Sequence, residues 1–317
     1  MDFQPISPFE PVSANSIPEG KQWIAQIKWD GVRILTYYDG KKTRLFNRKK
    51  NERTHHYPEL LHISSYCTAK SVILDGELIA LGSDGKPSFH EVMRRDALRR
   101  MDRIEQVQNI VPITYMIFDV IFYNGSWVNQ EPLAKRLQLL SEMIQPSKQI
   151  QLVSSYEDSQ GVYTAIKEQE MEGIIVKDQN SPYLMNGKND RWQKVKNYKD
   201  LFAVVGGVTL RGGLVNSLLL GLYNEQGQFY YIGHAGTGKL TQNDWRNLTE
   251  KIQGGMIIAE RPFINLPERN KEAIWVVPKL SIKVKFMEWT RSKTLRQPSI
   301  QAFMDLSPTD CTFDQIE

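Results

Sequence analysis

Apolar and polar positions alternate along the first part of this chain in short runs, and the period changes between them. Residues 24–27, 34–38, 72–81 and 113–123 are apolar or alternating and rich in Ile, Val, Leu and aromatics, so they predict strands. A helical period covers about 89–106. A second covers about 132–144, with Leu133, Leu137, Leu140 and Ile144 on one face. A third helix is expected to start near Ser159, with Val162, Ile166 and Met171 inward. Residues 1–20 carry four prolines and little periodicity, which predicts an extended arm over the surface. Strands and helices mixed in this irregular order predict an α+β domain rather than a doubly wound one.

A second unit begins near Lys199-Asp200. Phe202-Ala203-Val204-Val205 opens it, a Gly-rich turn follows, and residues 217–223 and 228–233 read as partner strands. Thr241 is placed to cap a helix with Asp244 in its first turn, and Trp245, Leu248 and Ile252 form its apolar stripe. Leu280, Ile282, Val284 and Phe286 alternate with Ser281, Lys283 and Lys285, a half-buried strand with two lysines outward. Strands, one helix and more strands fit a small Greek-key barrel of the oligonucleotide-binding type. The expected division is residues 1–198 and 199–317.

A length of 317 residues suits about two domains, and 41% hydrophobic with 24% charged residues is ordinary for a soluble globular protein. The net charge of +4 is mild, but the cations cluster. Residues 41–53 hold seven cations and one acid, and residues 94–103 hold five arginines and two aspartates. Either run alone reads as a solvated face; together they favour a polyanionic partner. The two cysteines, Cys67 and Cys311, have no metal-ligand spacing, so a reducing compartment and no structural zinc are expected. The N-terminus shows neither a basic region nor an apolar core, and no run approaches the ~20 apolar residues of a membrane span. A cytoplasmic protein is expected.

Chemistry concentrates in Lys28-Trp29-Asp30-Gly31-Val32-Arg33, directly after a buried strand. Desolvation or a neighbouring cation frees a lysine amine to act as a nucleophile. Asp30 could orient that lysine, Gly31 permits a tight turn, and Arg33 can clamp a phosphate. The bland alternative is a charged turn at a strand end. Four segments follow in order: 73–78 (ILDGEL), 116–120 (MIFDV), 172–177 (EGIIVK) and 192–196 (WQKVK). Lys194 and Lys196 share one face of a strand, because alternate residues point the same way. By itself Phe118, amid Met116, Ile117, Val120 and Ile121, reads as core, and Glu77 and Glu172 read as strand-end salt bridges.

This ordered series resembles the motifs of the covalent nucleotidyltransferases, specifically the ATP-dependent DNA ligases. The downstream stretches 205–221 and 284–290 resemble the compact bacterial ligases of end joining and repair. The resemblance implies an adenylyltransferase domain (an ATP-grasp-like nucleotidyltransferase) followed by an OB-fold barrel, and nick sealing in three steps. It implies Lys28 as the nucleophile that carries AMP, and Arg33 on phosphate or ribose. Arg48 would hold a 5′ phosphate, Glu77 the ribose hydroxyl, and Phe118 would stack on adenine. Glu172 would bind Mg²⁺ or Mn²⁺ with Asp75 as helper. Lys194 and Lys196 would contact the α-phosphate, with Lys177 also among the nucleotide-binding residues. Arg48, Arg211, Lys283, Lys285 and Arg296 would contact DNA. Nicked duplex DNA is the implied substrate, Ku or another repair protein a candidate partner, and a monomer the expected state.

Two departures from the family pattern stand out. Many relatives carry Glu two residues before the nucleophile, where it reads the adenine amino group; here it is Gln26. Relatives of this type usually end Arg-x-Asp-Lys-Pro, whereas residues 304–308 read MDLSP and lack both cations; Arg296 does match the segment upstream. The first step is therefore expected to be slow, or served by other cations. The rivals are an RNA ligase, a GTP-using capping enzyme and a non-catalytic nick-binding protein.

Overall fold

The computed structural model describes residues 3–236, 238–265 and 272–316. The chain divides into two compact units, Met1–Asn197 and Tyr198–Glu317. The first unit contains, in order, β1 (Glu10–Ser13), β2 (Trp23–Ile27), β3 (Val32–Tyr38), β4 (Thr43–Asn47), β5 (Val72–Ile79), α1 (Phe89–Asp96) and α2 (Met101–Gln108). Then come β6 (Thr114–Tyr123), β7 (Ser126–Trp127), α3 (Leu133–Met143), β8 (Ile150–Leu152), β9 (Ser155–Tyr156), α4 (Ser159–Glu168), β10 (Gly173–Asp178) and β11 (Lys188–Lys196).

These strands form two sheets. One runs β1-β11-β10-β2-β9, and the other runs β4-β3-β5-β6-β7 with β8 added parallel to β6. Phe9, Ile24, Leu35, Tyr37, Phe46, Ile73, Ile121, Tyr183 and Trp192 fill the core between them. Each sheet buries its other face separately. Ala25, Ile174, Val176 and Val195 pack with Ile166 of α4, while Ile34, Leu74, Leu78 and Ile117 pack with Leu140 and Met143 of α3. Both faces of both sheets are therefore apolar over much of their length, which is why the strands read as near-continuous runs.

Two expectations are corrected. The arm is not merely laid on the surface: β1 pairs parallel with β11, and Phe9 is fully buried. The single helix over 89–106 is two helices, broken after Asp96. Arg95, near the end of the first of them, points into the protein. Its guanidinium donates to both Glu59 oxygens (2.7 and 2.6 Å) and to the His56 carbonyl (2.8 Å), and it is fully buried. The arginine run is thus partly structural, with Arg94 on Glu91 and Arg100 on Asp102 as well.

The second unit contains β12 (Lys199–Arg211), β13 (Leu214–Tyr223), β14 (Phe229–Ala235), α5 (Gln242–Gln253), β15 (Ile274–Phe286) and β16 (Ser299–Met304). The sheet order is β14-β13-β12-β15-β16, and a parallel bridge from Gly238 to Ile300 joins its two edges into a barrel. Thr241 caps α5 with a reciprocal Asp244 capping box, satisfying backbone donors the first turn leaves open. Leu248 and Ile252 of α5 enter the barrel core with Val204, Leu220, Ile232 and Val284.

Candidate active site

Strand alternation aims the candidate residues into the space between the two sheets of the first unit. Ile24 and Trp192 both point into the inter-sheet core, so Gln26 on β2 and Lys194 and Lys196 on β11 share their face. Lys177 lies opposite both Ile24 and Trp192 and joins them. On the facing sheet Leu35 and Ile73 are inward, which brings Arg33 of β3 and Asp75 and Glu77 of β5 to the same side.

Lys28 follows β2, and its backbone N–H still donates to the Gly173 carbonyl (2.9 Å). Its ammonium donates to Glu172 Oε2, and Lys196 lies 3.3 Å from Glu172 Oε1. The Lys28 side chain is 21% exposed and that of Glu172 is 7% exposed. The nucleophile candidate is thus reachable, while its acidic partner is largely shielded. Two glycines allow this approach. A Cβ on Gly31 would lie 2.1 Å from the Leu78 carbonyl oxygen, so Gly31 serves close packing of the turn against β5. Gly173 has φ +139° and would meet the Val195 carbonyl at 2.3 Å. Lys194 is half-buried, and desolvation, then Lys196 and Lys28, lower its pKa.

Arg33 and Asp75 form an ion pair. Arg33 Nε and Nη2 donate to the two Asp75 oxygens (2.9 and 2.6 Å), and Tyr183 donates its hydroxyl to Asp75 Oδ2 (2.6 Å). Asp75 is 0% exposed. Both of its oxygens accept from protein donors, so it anchors Arg33. Among the described residues no cluster of three or more His, Cys, Asp or Glu side chains is suited to a metal ion. Glu77 lies opposite Arg33 in the ladder. Desolvation pushes its carboxyl up to about 8 against the pull of Lys28 and Arg33.

Phe118 combines the core reading with the site reading. It is half-buried and packs on the inter-sheet core. The Arg33 guanidinium sits 5.2 Å and the Lys177 ammonium 4.4 Å from its ring centroid. Lys177 also lies 3.9 Å from the Trp192 ring centroid. Lys177 is 2% exposed, and its buried ammonium donates no hydrogen bond among the described residues. Desolvation brings it down to about 7, opposed by Asp119 and Asp75. Lys177 is therefore a prop beneath Phe118 and is walled off from solvent.

Two residues of this constellation carried little signal in the sequence. A third, Trp192, was legible, being two positions before Lys194 on the same strand face. Tyr183 lies in a loop, and Ser155, which accepts from Gln26 Nε2 (3.0 Å), lies on a two-residue strand; neither belongs to a pattern.

The candidate DNA contacts are dispersed. In the first unit Arg48 is exposed and 3.6 Å from Glu10. In the barrel Lys283 and Lys285 share a face of β15; Lys283 is 3.3 Å from Asp200, and Lys285 lies over the Tyr198 ring. Arg211 is exposed at the opposite end of β12 from their partners Phe202 and Asp200. Arg296 is paired with Glu288. No helix among the described residues is long and apolar enough to cross a membrane.

A family model described as "ATP dependent DNA ligase domain" matches residues 10–196. The chain belongs to the ATP-dependent DNA ligase family. A second ligase model, "ATP dependent DNA ligase C terminal region", matches residues 211–305. The "DNA ligase" of Thermococcus fumicolans is 27% identical over 84% of this chain and 50% of its own length. The "SPbeta prophage-derived DNA ligase-like protein LigB" of Bacillus subtilis is 30% identical over 63% of this chain and 71% of its own. Among solved structures, "mycobacterial DNA ligase D complexed with ATP and MES" aligns with a TM-score of 0.52 at 26% identity. It covers 97% of this chain and 98% of that one. The chain spans about half the length of the archaeal DNA ligases it matches. The two-part architecture of this ligase family, a nucleotidyltransferase domain and an OB-fold domain, accounts for the two units described above.

Proposed function

We propose that this protein seals nicks in duplex DNA at the expense of ATP, with AMP carried on Lys28. The observation that carries this reading is the ammonium of Lys28 beside Glu172 and Lys196, on a face that looks across at Arg33 and Phe118. A nucleophilic amine, several fixed cations and an aromatic plane are what attack on a nucleotide α-phosphate requires.

The proposed chemistry has three steps. Lys28 Nζ attacks the α-phosphorus of ATP, forming an N–P bond as pyrophosphate leaves. A DNA 5′-phosphate oxygen then takes the AMP and breaks the N–P bond. Finally the 3′ hydroxyl attacks the 5′ phosphorus, and AMP departs. Charge builds on phosphoryl oxygens throughout, so catalysis is largely the placement of cations. Lys194 and Lys196 are the α-phosphate contacts in this reading, and Glu77 holds the ribose. Arg33, braced by Asp75 and Tyr183, fixes one wall and can lend its charge to phosphate or ribose. Glu172 offers carboxylate oxygens, donors that suit a hard cation keeping several waters. It would hold Mg²⁺ or Mn²⁺, which when bound supplies positive charge to the phosphates.

The barrel would grip duplex DNA through Arg211, Lys283, Lys285 and Arg296, with Arg48 on the 5′ phosphate; phosphate contacts of this kind weaken with salt. The functional boundary falls at residues 198–199, with a hinge at 197–200 that lets the units reorient between steps. Likeness to proteins named for non-homologous end joining supports a repair role, with Ku as a candidate partner. We further propose a cytoplasmic monomer.

The test is one gel. Incubating the chain with labelled ATP and Mg²⁺ should yield covalently labelled protein, which should then seal a nicked duplex. Lys28→Ala should abolish both the label and sealing of an unadenylated nick. Label at the unaltered level in that variant would remove Lys28 from its role.

A further inference from the structure

A carboxylate two residues before the nucleophile can only accept hydrogen bonds. It suits the amino group of adenine and repels the carbonyl of guanine. Gln26 stands at that position here, and an amide can serve either base, depending on which end faces it. Selectivity then depends on what orients the amide.

Gln26 is 2% exposed, and its Nε2 donates to Ser155 Oγ at 3.0 Å. Its carbonyl Oε1 accepts no hydrogen bond among the described residues. The contact follows from strand register. Ser155 lies opposite Gln26, Gln26 opposite Ile175, and Ile175 opposite Lys194. Residues directly across a ladder share a face. A row therefore crosses the sheet from Ser155 through Gln26 and Ile175 to Lys194. With its nitrogen on the Ser155 hydroxyl, the amide presents its oxygen away from Ser155. Ser155 is exposed, so its hydroxyl can accept from Gln26 while donating to water.

We propose that Ser155 is a positioning residue that holds the Gln26 amide with its carbonyl toward the base, and so makes the site select adenine over guanine nucleotides. This rests on the reading of Lys28 as the adenylylated nucleophile.

The experiment compares rates of covalent labelling of the full chain by ATP and by GTP, each at limiting concentration with Mg²⁺. Ser155→Ala frees the amide to turn. The ATP-to-GTP ratio should fall roughly three- to tenfold, the worth of one neutral hydrogen bond, with the GTP rate rising. A merely loosened site would lose both rates together. Gln26→Glu restores a group that only accepts, so adding Ser155→Ala to it should leave the ratio unchanged. An unchanged ratio in Ser155→Ala, or an equal fall in the Gln26→Glu background, would overturn the proposal. If neither nucleotide labels the unaltered chain, the nucleotidyltransferase reading itself is lost, and this proposal with it.

Discussion

Replacing Asp75 by alanine separates two parts this carboxylate could play. In the structure it is sealed from solvent and receives three hydrogen bonds, two from Arg33 and one from Tyr183. Asp75→Ala leaves a guanidinium and a phenol facing a hole. Breaking a buried ion pair by removing one partner costs about 3–5 kcal/mol, because the remaining charge stays desolvated. For a unit of this size that lowers the melting temperature by roughly 10 °C. Asp75→Asn keeps one acceptor oxygen and should cost less. Urea unfolding gives the free energy, and the Mg²⁺ dependence of covalent labelling gives the second readout. The half-saturating Mg²⁺ concentration should not move, since both Asp75 oxygens are committed to protein donors. A stability loss below ~1 kcal/mol, the range of an exposed pair, would refute the anchoring argument. A several-fold rise in the Mg²⁺ requirement would return Asp75 to the metal site.

Lys177 gives a pH signature. Its folded pKa is near 7, below the ordinary lysine value, so between about pH 7 and 10.5 the unfolded chain binds more protons than the folded one. Its contribution makes stability rise with pH across that window, and Lys177→Met should abolish that rise; denaturant titrations at pH 7 and 9.5 that show the same slope in both proteins would contradict this. A fragment ending at residue 197 should stay folded, since its cores are its own, but seal nicks poorly at ~150 mM salt, where screening weakens the phosphate contacts left to it. Equal sealing by fragment and full chain would show that the barrel is dispensable. Met304 and Ser307 are both exposed, at the positions where the family resemblance leads one to expect cations. Met304→Arg combined with Ser307→Lys should speed self-adenylylation by up to ~10²-fold and leave sealing of a pre-adenylated nick unchanged; no gain in single-turnover labelling would show that other cations already fill the role.

The sequence determined the strands that carry Gln26, Lys194 and Lys196, because alternation with buried partners fixes which face each side chain takes. It also determined the capped helix at Thr241 and the alternating strand that ends at Phe286, both written in local spacing. The ordered motifs from Lys28 to Lys196 pointed to the ligase family without any coordinates. Tertiary structure alone decided how the carboxylates are used. Asp75 and Glu77 are two residues apart on one strand face, yet one is consumed by Arg33 and Tyr183 while the other is left with a raised pKa. Tyr183, which donates to Asp75, lies 108 positions away, and burial raises the Glu77 carboxyl; no local pattern encodes either. The burial of Arg95 is similar, since an arginine run reads as a solvated face, but Glu59 and the His56 carbonyl draw Arg95 inward. Local spacing sets the direction of a side chain; which distant group it meets depends on chain packing, and that meeting fixes its charge and its availability for chemistry.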